Sequence, residues 1–181
     1  MLELEIFGPE LYNEETYEFI PAKKLGNLRL EHSLISISKW EAIHHKAFIT
    51  SPDKTPEDML DYIRCMSVDN LVDDTLINNL TDKDVEKIIA YTKEPMTATH
   101  IPKGRGAANN REAITSELIY YWMIKFNIPI EFQKWHINRL LTLINVCAIK
   151  ETPPKKMSQS EIISRNRELN RARRAKYHSK G

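Results

Sequence analysis

The chain has 181 residues, 41% hydrophobic and 28% charged, with a net charge of +1; that balance suits a soluble globular domain with a real core and room for an appendage. Five glycines are too few for a Gly-rich barrel or sandwich. The longest apolar runs are interrupted by Lys125, Glu131, Lys134 and Arg139, so no segment reads as membrane-spanning.

The first ten residues, MLELEIFGPE, are acidic and lack the basic-then-apolar order of a secretory signal. Cys65 and Cys147 fall among apolar neighbours in predicted helices, as buried reduced thiols of an intracellular protein do, and a bridge between them stays open. The small net charge hides an asymmetry. Residues 153–181 hold nine Lys/Arg against Glu161 and Glu168, a charge of +7, while residues 1–152 carry −6. A mildly acidic body bears a basic tail.

In chain order, LELEIF (2–7) alternates apolar and acidic residues as a half-buried strand would. YEFI (17–20) and LRLEHSLI (28–35) follow as two more short strands, the second after a turn-like LGN at 25–27. The three are expected to form one small antiparallel sheet. Ser38 with Glu41 has the spacing of a capping box and predicts a helix from there. Thr55-Pro56-Glu57-Asp58 predicts a second helix start, with Met59, Leu60, Ile63 and Met66 as its apolar face. Thr81 with Asp84 opens a third, with Val85, Ile88 and Ile89 inward and Pro95 as the stop. Residues 96–110 show no periodicity and predict a mobile loop. Two helices should follow, over about 111–126 and from Pro129 to about 147. The first is apolar nearly all round and should be buried on most sides. Joined at Asn127-Ile128-Pro129, they predict an antiparallel hairpin that is mainly core and supplies most of the hydrophobic stabilisation. ETPPKK (151–156) is a stiff linker, and Ser158 with Glu161 caps a basic C-terminal helix that is marginal unless docked. The expected fold is α+β: an N-terminal β region over 1–37, a helical body over 38–150, and a linker with a basic helix or tail over 151–181.

Chemistry-bearing patterns are few. His44 and His45 are adjacent, so on a helix they diverge by about 100° and cannot share an ion. Neither Cys-x-x-Cys nor His-x-x-x-His occurs, and no metal or other cofactor is expected. Cys147 and His136 lie eleven residues apart, too far along one helix to form a nucleophile–base pair. KGRG (103–106) lacks the frame of a phosphate-binding loop. No catalytic residue is named, and the chain is not expected to be an enzyme. Trp135 and Arg139 are four apart, which suits a cation–π stack at the surface. The candidate partner-binding residues are therefore Trp135 and Arg139, with Lys155, Lys156, Arg165, Arg167, Arg171, Arg173 and Arg174 of the tail, which could meet phosphates or an acidic helical protein.

Five segments carry a resemblance, in this order: LEHSLISISKWEAIHHKAFI (30–49), KTPEDMLDYIRCM (54–66), EPMTATHI (94–101), ITSELIYYWMIKFNIPIEFQKWHINRLLTLINVC (114–147) and PPKKMSQSEIISRNRELNRARRA (153–175). Together they resemble the tail assembly chaperones of long-tailed, siphovirus-type bacteriophages. The resemblance implies a non-enzymatic protein of virion morphogenesis that coats the long helical tape-measure protein, keeps it soluble and recruits tail-tube subunits. It implies a place in the host cytoplasm and absence from the mature virion, and it leaves self-association and a longer frameshifted form open. Two other readings stand beside it: a structural tail or connector component of the virion, and a nucleic-acid-binding accessory protein motivated by the basic tail. No membrane partner is expected, and nucleic acid is not the favoured one, because no groove-reading motif is present.

Overall fold

In a computed structural model of the chain, the structure describes residues 1–14, 17–69, 74–101, 113–152 and 158–178. It divides into two compact units, Met1–Ile149 and Lys150–Gly181. The first is α+β, with a small N-terminal antiparallel sheet followed by helices.

Strand β1, Leu2–Phe7, pairs antiparallel with β4, Lys24–Leu30. Alternation decides which face is buried: Leu4, Ile6, Leu28 and Leu30 point into the core, while Glu3, Glu5 and Arg29 face outward. Lys24 donates to Glu5 at 2.6 Å across the outer face, and Arg29 pairs with Asp69. The expected turn at 25–27 is instead inside β4, where the register shifts opposite Ile6 and Phe7. Gly26 sits close to a neighbour rather than at a turn: a Cβ there would lie 3.2 Å from Leu76 Cδ2, which would have to shift by a few tenths of an ångström.

The predicted single sheet is two separate ribbons. Strands β2, Leu11–Asn13, and β3, Glu18–Ile20, pair only with each other, between β1 and β4 in the chain. The strand predicted over 28–35 stops at Leu30, because Ser33 caps helix α1, Leu34–His44, its hydroxyl accepting from the Ser36 amide. Ser38 lies within that helix rather than at its start. Leu34, Ile37 and Trp40 of α1 are fully buried. The indole Nε1 of Trp40 donates to the Asp58 carbonyl at 2.9 Å, so its one polar group is satisfied inside the core.

The two strongest predicted helix starts are confirmed. Thr55 and Thr81 each form a reciprocal capping box, with Asp58 and Asp84, at the heads of α2, Pro56–Met66, and α4, Asp82–Lys93. A short helix α3, Asp74–Asn78, packs on β4 between them. In α4, Ile88 and Tyr91 face inward and Ile89 is exposed, which corrects the predicted face.

Helix α5 is Ser116–Lys125, capped by Thr115; residues 102–112, including most of the predicted loop and the predicted helix start, lie outside the described residues. The chain then forms a 3-10 turn, Ile130–Lys134, and helix α6, Ile137–Glu151. Two expectations fail here. Pro129 opens the 3-10 turn rather than an α-helix. Helix α5 is buried less than expected: Ile119 and Met123 are core and Tyr120 and Trp122 half-buried against it, but one side is open, with Tyr121 56% and Ile124 76% exposed. The reason is that α1, not α6, is the element at the centre. It packs closely on α2, on α5 and on the 3-10 turn. The stretch 116–147 contributes Ile119, Met123, Ile137, Leu140 and Ile144 to a core shared with the β1–β4 ribbon, α1, α2 and α4.

In the second unit, helix α7, Gln159–Tyr177, starts from a capping box of Ser158 and Glu161 and has no buried residue.

Candidate functional site

His136 and Trp135, neighbours in the sequence, are separated by the fold. His136 is buried, and it is not on a helix with Trp135. It forms an isolated β-bridge with Ser33, and the Ile137 amide donates to the His32 carbonyl at 2.8 Å. Its Nδ1 accepts from the Asn138 amide at 3.3 Å. The proton therefore belongs on Nε2, which donates to the Tyr91 carbonyl at 3.1 Å. The His32 ring lies edge-on to His136 at 5.0 Å, and His32 Nδ1 is 2.5 Å from the Tyr62 hydroxyl. Tyr91 donates in turn to Glu31 at 2.7 Å. Burial, and then the neighbouring His136, push His32 down to about 3; burial also lowers His136 and holds Tyr62 well above an ordinary phenol. Both imidazoles are thus neutral cross-braces between the sheet end, α2 and α4. Their hydrogen bonds are taken up within the protein, which is the arrangement of structural groups rather than of acids and bases aimed at a substrate.

A second buried polar group is Glu41, which sequence spacing assigned to a capping box with Ser38. Its two carboxylate oxygens accept from the Phe48 amide at 2.8 Å and the Ser116 amide at 2.7 Å. A carboxylate at the first turn of α5 complements the positive end of that helix dipole, so Glu41 ties α1 to α5. His44 stacks on Trp40 with ring centroids 4.3 Å apart and lies 3.1 Å from Asp58. His45 leaves the helix as a left-handed cap. The Cys65 thiol is buried and pushed up by that burial. Among the described residues no group of three His, Cys, Asp or Glu is placed to hold a metal ion.

At the surface the predicted stack exists. The Arg139 guanidinium lies over the Trp135 ring at 3.9 Å, and Phe132 stacks on Trp135 at 3.9 Å with rings 14° apart. Trp135 is half-buried and Arg139 exposed, which leaves a three-layer aromatic–cation edge. Sequence spacing found the Trp–Arg pair; Phe132 was within reach of the same signal, at three residues from Trp135. Near it in the chain, Tyr121, Ile124 and Ile130 are exposed apolar side chains. Of the predicted basic residues, Arg165, Arg167, Arg171, Arg173 and Arg174 are exposed on α7, while Lys155 and Lys156 lie outside the described residues.

The other exposed feature is the β2–β3 ribbon; sequence reading expected a strand at 17–20 as part of one sheet and none at Leu11–Asn13. Leu11 faces Ile20, Tyr12 faces Phe19 and Asn13 faces Glu18. Opposed residues share a face and successive residues alternate. One face therefore carries Tyr12 and Phe19, whose rings meet at 4.9 Å, and the other carries Leu11, Ile20 and Glu18. All of these are exposed, Phe19 by 76%. No helix of the described chain is long and apolar enough to cross a membrane. Comparison with protein-family models, with curated protein sequences and with solved structures gives no match.

Proposed function

We propose that the chain is a tail assembly chaperone that binds the tape-measure protein of a long-tailed bacteriophage, keeps it dispersed and brings tail-tube subunits to it. The likeness of the five ordered segments motivates the reading. The observation that carries it is the exposed apolar set Tyr121, Ile124 and Ile130 beside the Phe132–Trp135–Arg139 stack in the chain. A monomer gains nothing by leaving such side chains in water, and a long helical partner with an apolar stripe is the kind of surface that covers them. Trp and Arg are the residue types that most often anchor such contacts. The buried histidines, tyrosines and Glu41 serve the scaffold, so the activity is recognition, not turnover.

Co-expression with the tape-measure protein is the test. Wild-type chain should raise the soluble fraction of the tape-measure protein and co-elute with it, and Ile124→Glu together with Ile130→Glu should abolish both while leaving the fold intact. Unchanged tape-measure solubility with no complex eluting overturns the reading. Mass spectrometry of purified virions separates it from a structural role in the tail, since a chaperone should be absent from finished particles.

A further inference from the structure

The two surfaces with no cover have complementary chemistry. Residues 8–22, which contain the β2–β3 ribbon, include Glu10, Glu14, Glu15 and Glu18 and no Lys or Arg. Exposed apolar side chains accompany them: Leu11, Tyr12, Tyr17, Phe19 and Ile20. A two-stranded ribbon with apolar residues on both faces and neither face covered is marginal by itself in water. It is an acidic, apolar surface that lacks its partner layer.

Helix α7 is the counterpart. Between Gln159 and Tyr177 it carries six basic residues against Glu161 and Glu168. Positions three, four or seven apart share a helix face. Ile162, Arg165, Leu169, Arg173 and Lys176 therefore form one stripe, in which two exposed apolar side chains alternate with cations. The stripe matches the ribbon face that sets Leu11 and Ile20 beside Glu18.

We propose that α7 of one copy of the chain docks on the β2–β3 ribbon of a second copy, Ile162 and Leu169 against the apolar ribbon residues and Arg173 and Lys176 against Glu10, Glu14 and Glu18. Each copy carries both surfaces, so the contact closes a dimer when two copies exchange α7 reciprocally, and closes a ring or extends a chain when it repeats head to tail. A single helix on a two-stranded ribbon is a small interface. The association is weak, concentration-dependent and electrostatically steered. It is separate from the apolar set on α5 and the 3-10 turn, so the proposal stands or falls independently of tape-measure binding.

Sedimentation velocity on the full chain, at about 5 to 500 µM protein and at low and high salt, reads it directly, because contacts between exposed charges fade once the Debye length shrinks to about 3–10 Å. The wild-type chain should exceed monomer mass at low salt and revert at high salt. Arg173→Glu with Lys176→Glu, and separately Glu10→Lys with Glu14→Lys and Glu18→Lys, should each weaken association about tenfold or more. Circular dichroism confirms that both variants keep their helix content. The decisive arm is the mixture: the two reversed variants together, or both sets of reversals in one chain, should restore association. A strictly monomeric chain at every concentration overturns the proposal, whether or not the charges matter to its stability. So does association that survives either reversal made alone, or mixtures that stay monomeric. Salt-sensitive binding of DNA or RNA by a monomeric chain, lost in the α7 variant, would assign the stripe to nucleic acid and overturn it as well.

Discussion

Helices α1 and α7 are opposites in composition and in fate. The shorter, α1, spans 11 residues and contains Ile35, Ser36, Ile37, Ser38 and Trp40, all indifferent helix formers. The longer, α7, spans 19 residues of mostly Arg, Asn, Glu, Ala and Ile, opens on a capping box and buries nothing. Local preference favours α7, yet α1 is the one at the centre. Its helix is held by tertiary contacts: Leu34, Ile37 and Trp40 fully buried, Ser33 capping its start, Glu41 accepting two backbone amides from outside the helix. Helical stability in proteins comes mainly from packing of a face rather than from propensity. The body of this chain is therefore built around a helix of weak local preference, and a helix of better local preference is the one left to find a partner.

Substitutions should separate the two regions sharply. Trp40→Ala removes the largest fully buried side chain together with its bond to the Asp58 carbonyl; chemical denaturation should show a loss of about 3–5 kcal/mol. Glu41→Ala leaves a buried amide donor at Ser116 and a part-buried one at Phe48 without acceptors, and should cost about 2–3 kcal/mol in the same experiment. Acid should act on the body through His32. Its folded value, about 3, lies below that of the unfolded chain, so the unfolded state takes up the proton first. Stability is therefore full above about pH 6.5 and declines by about 1.4 kcal/mol per pH unit as pH falls toward 3. Unfolding free energies measured between pH 7.5 and 4.5 should show this contribution, and His32→Gln should reduce the slope to what His136, also lowered by burial, leaves behind. The smallest effect belongs to α7. Ser158→Ala removes its cap and should lower helix content seen by circular dichroism, with no change in the melting temperature of the body, because no residue of α7 is buried.

Legibility in the sequence followed the range of the interactions involved. Signals made by neighbours were readable. The Thr55–Asp58, Thr81–Asp84 and Ser158–Glu161 boxes cap their helices, LELEIF is a strand with its apolar side inward, and Trp135 meets Arg139 four residues on. Signals that depend on distant partners misled. Ser38 and Glu41 have capping-box spacing, but Glu41 is engaged by Phe48 and by Ser116, 75 residues away, and the helix begins at Ser33 instead. His136 looked like a helix residue beside Trp135, yet its bridge to Ser33 and the His32 carbonyl's bond to the Ile137 amide hold it in extended backbone. Apolar density also overstated burial: α5 is rich in apolar side chains on every side, but the structure fully buries only the stripe through Ile119 and Met123 and half-buries Tyr120 and Trp122 beside it. The apolar residues left over, Tyr121 and Ile124, are what the partner-binding reading rests on.

Hydrogen–deuterium exchange of the chain alone and in the presence of the tape-measure protein tests the division between scaffold and gripping surface most directly. The account predicts that peptides covering residues 121–135 slow on addition of the tape-measure protein, while those of α1 exchange slowly in both states. Unchanged exchange throughout 121–135, or a change confined to α1 and the buried His32–His136 contact, would contradict it.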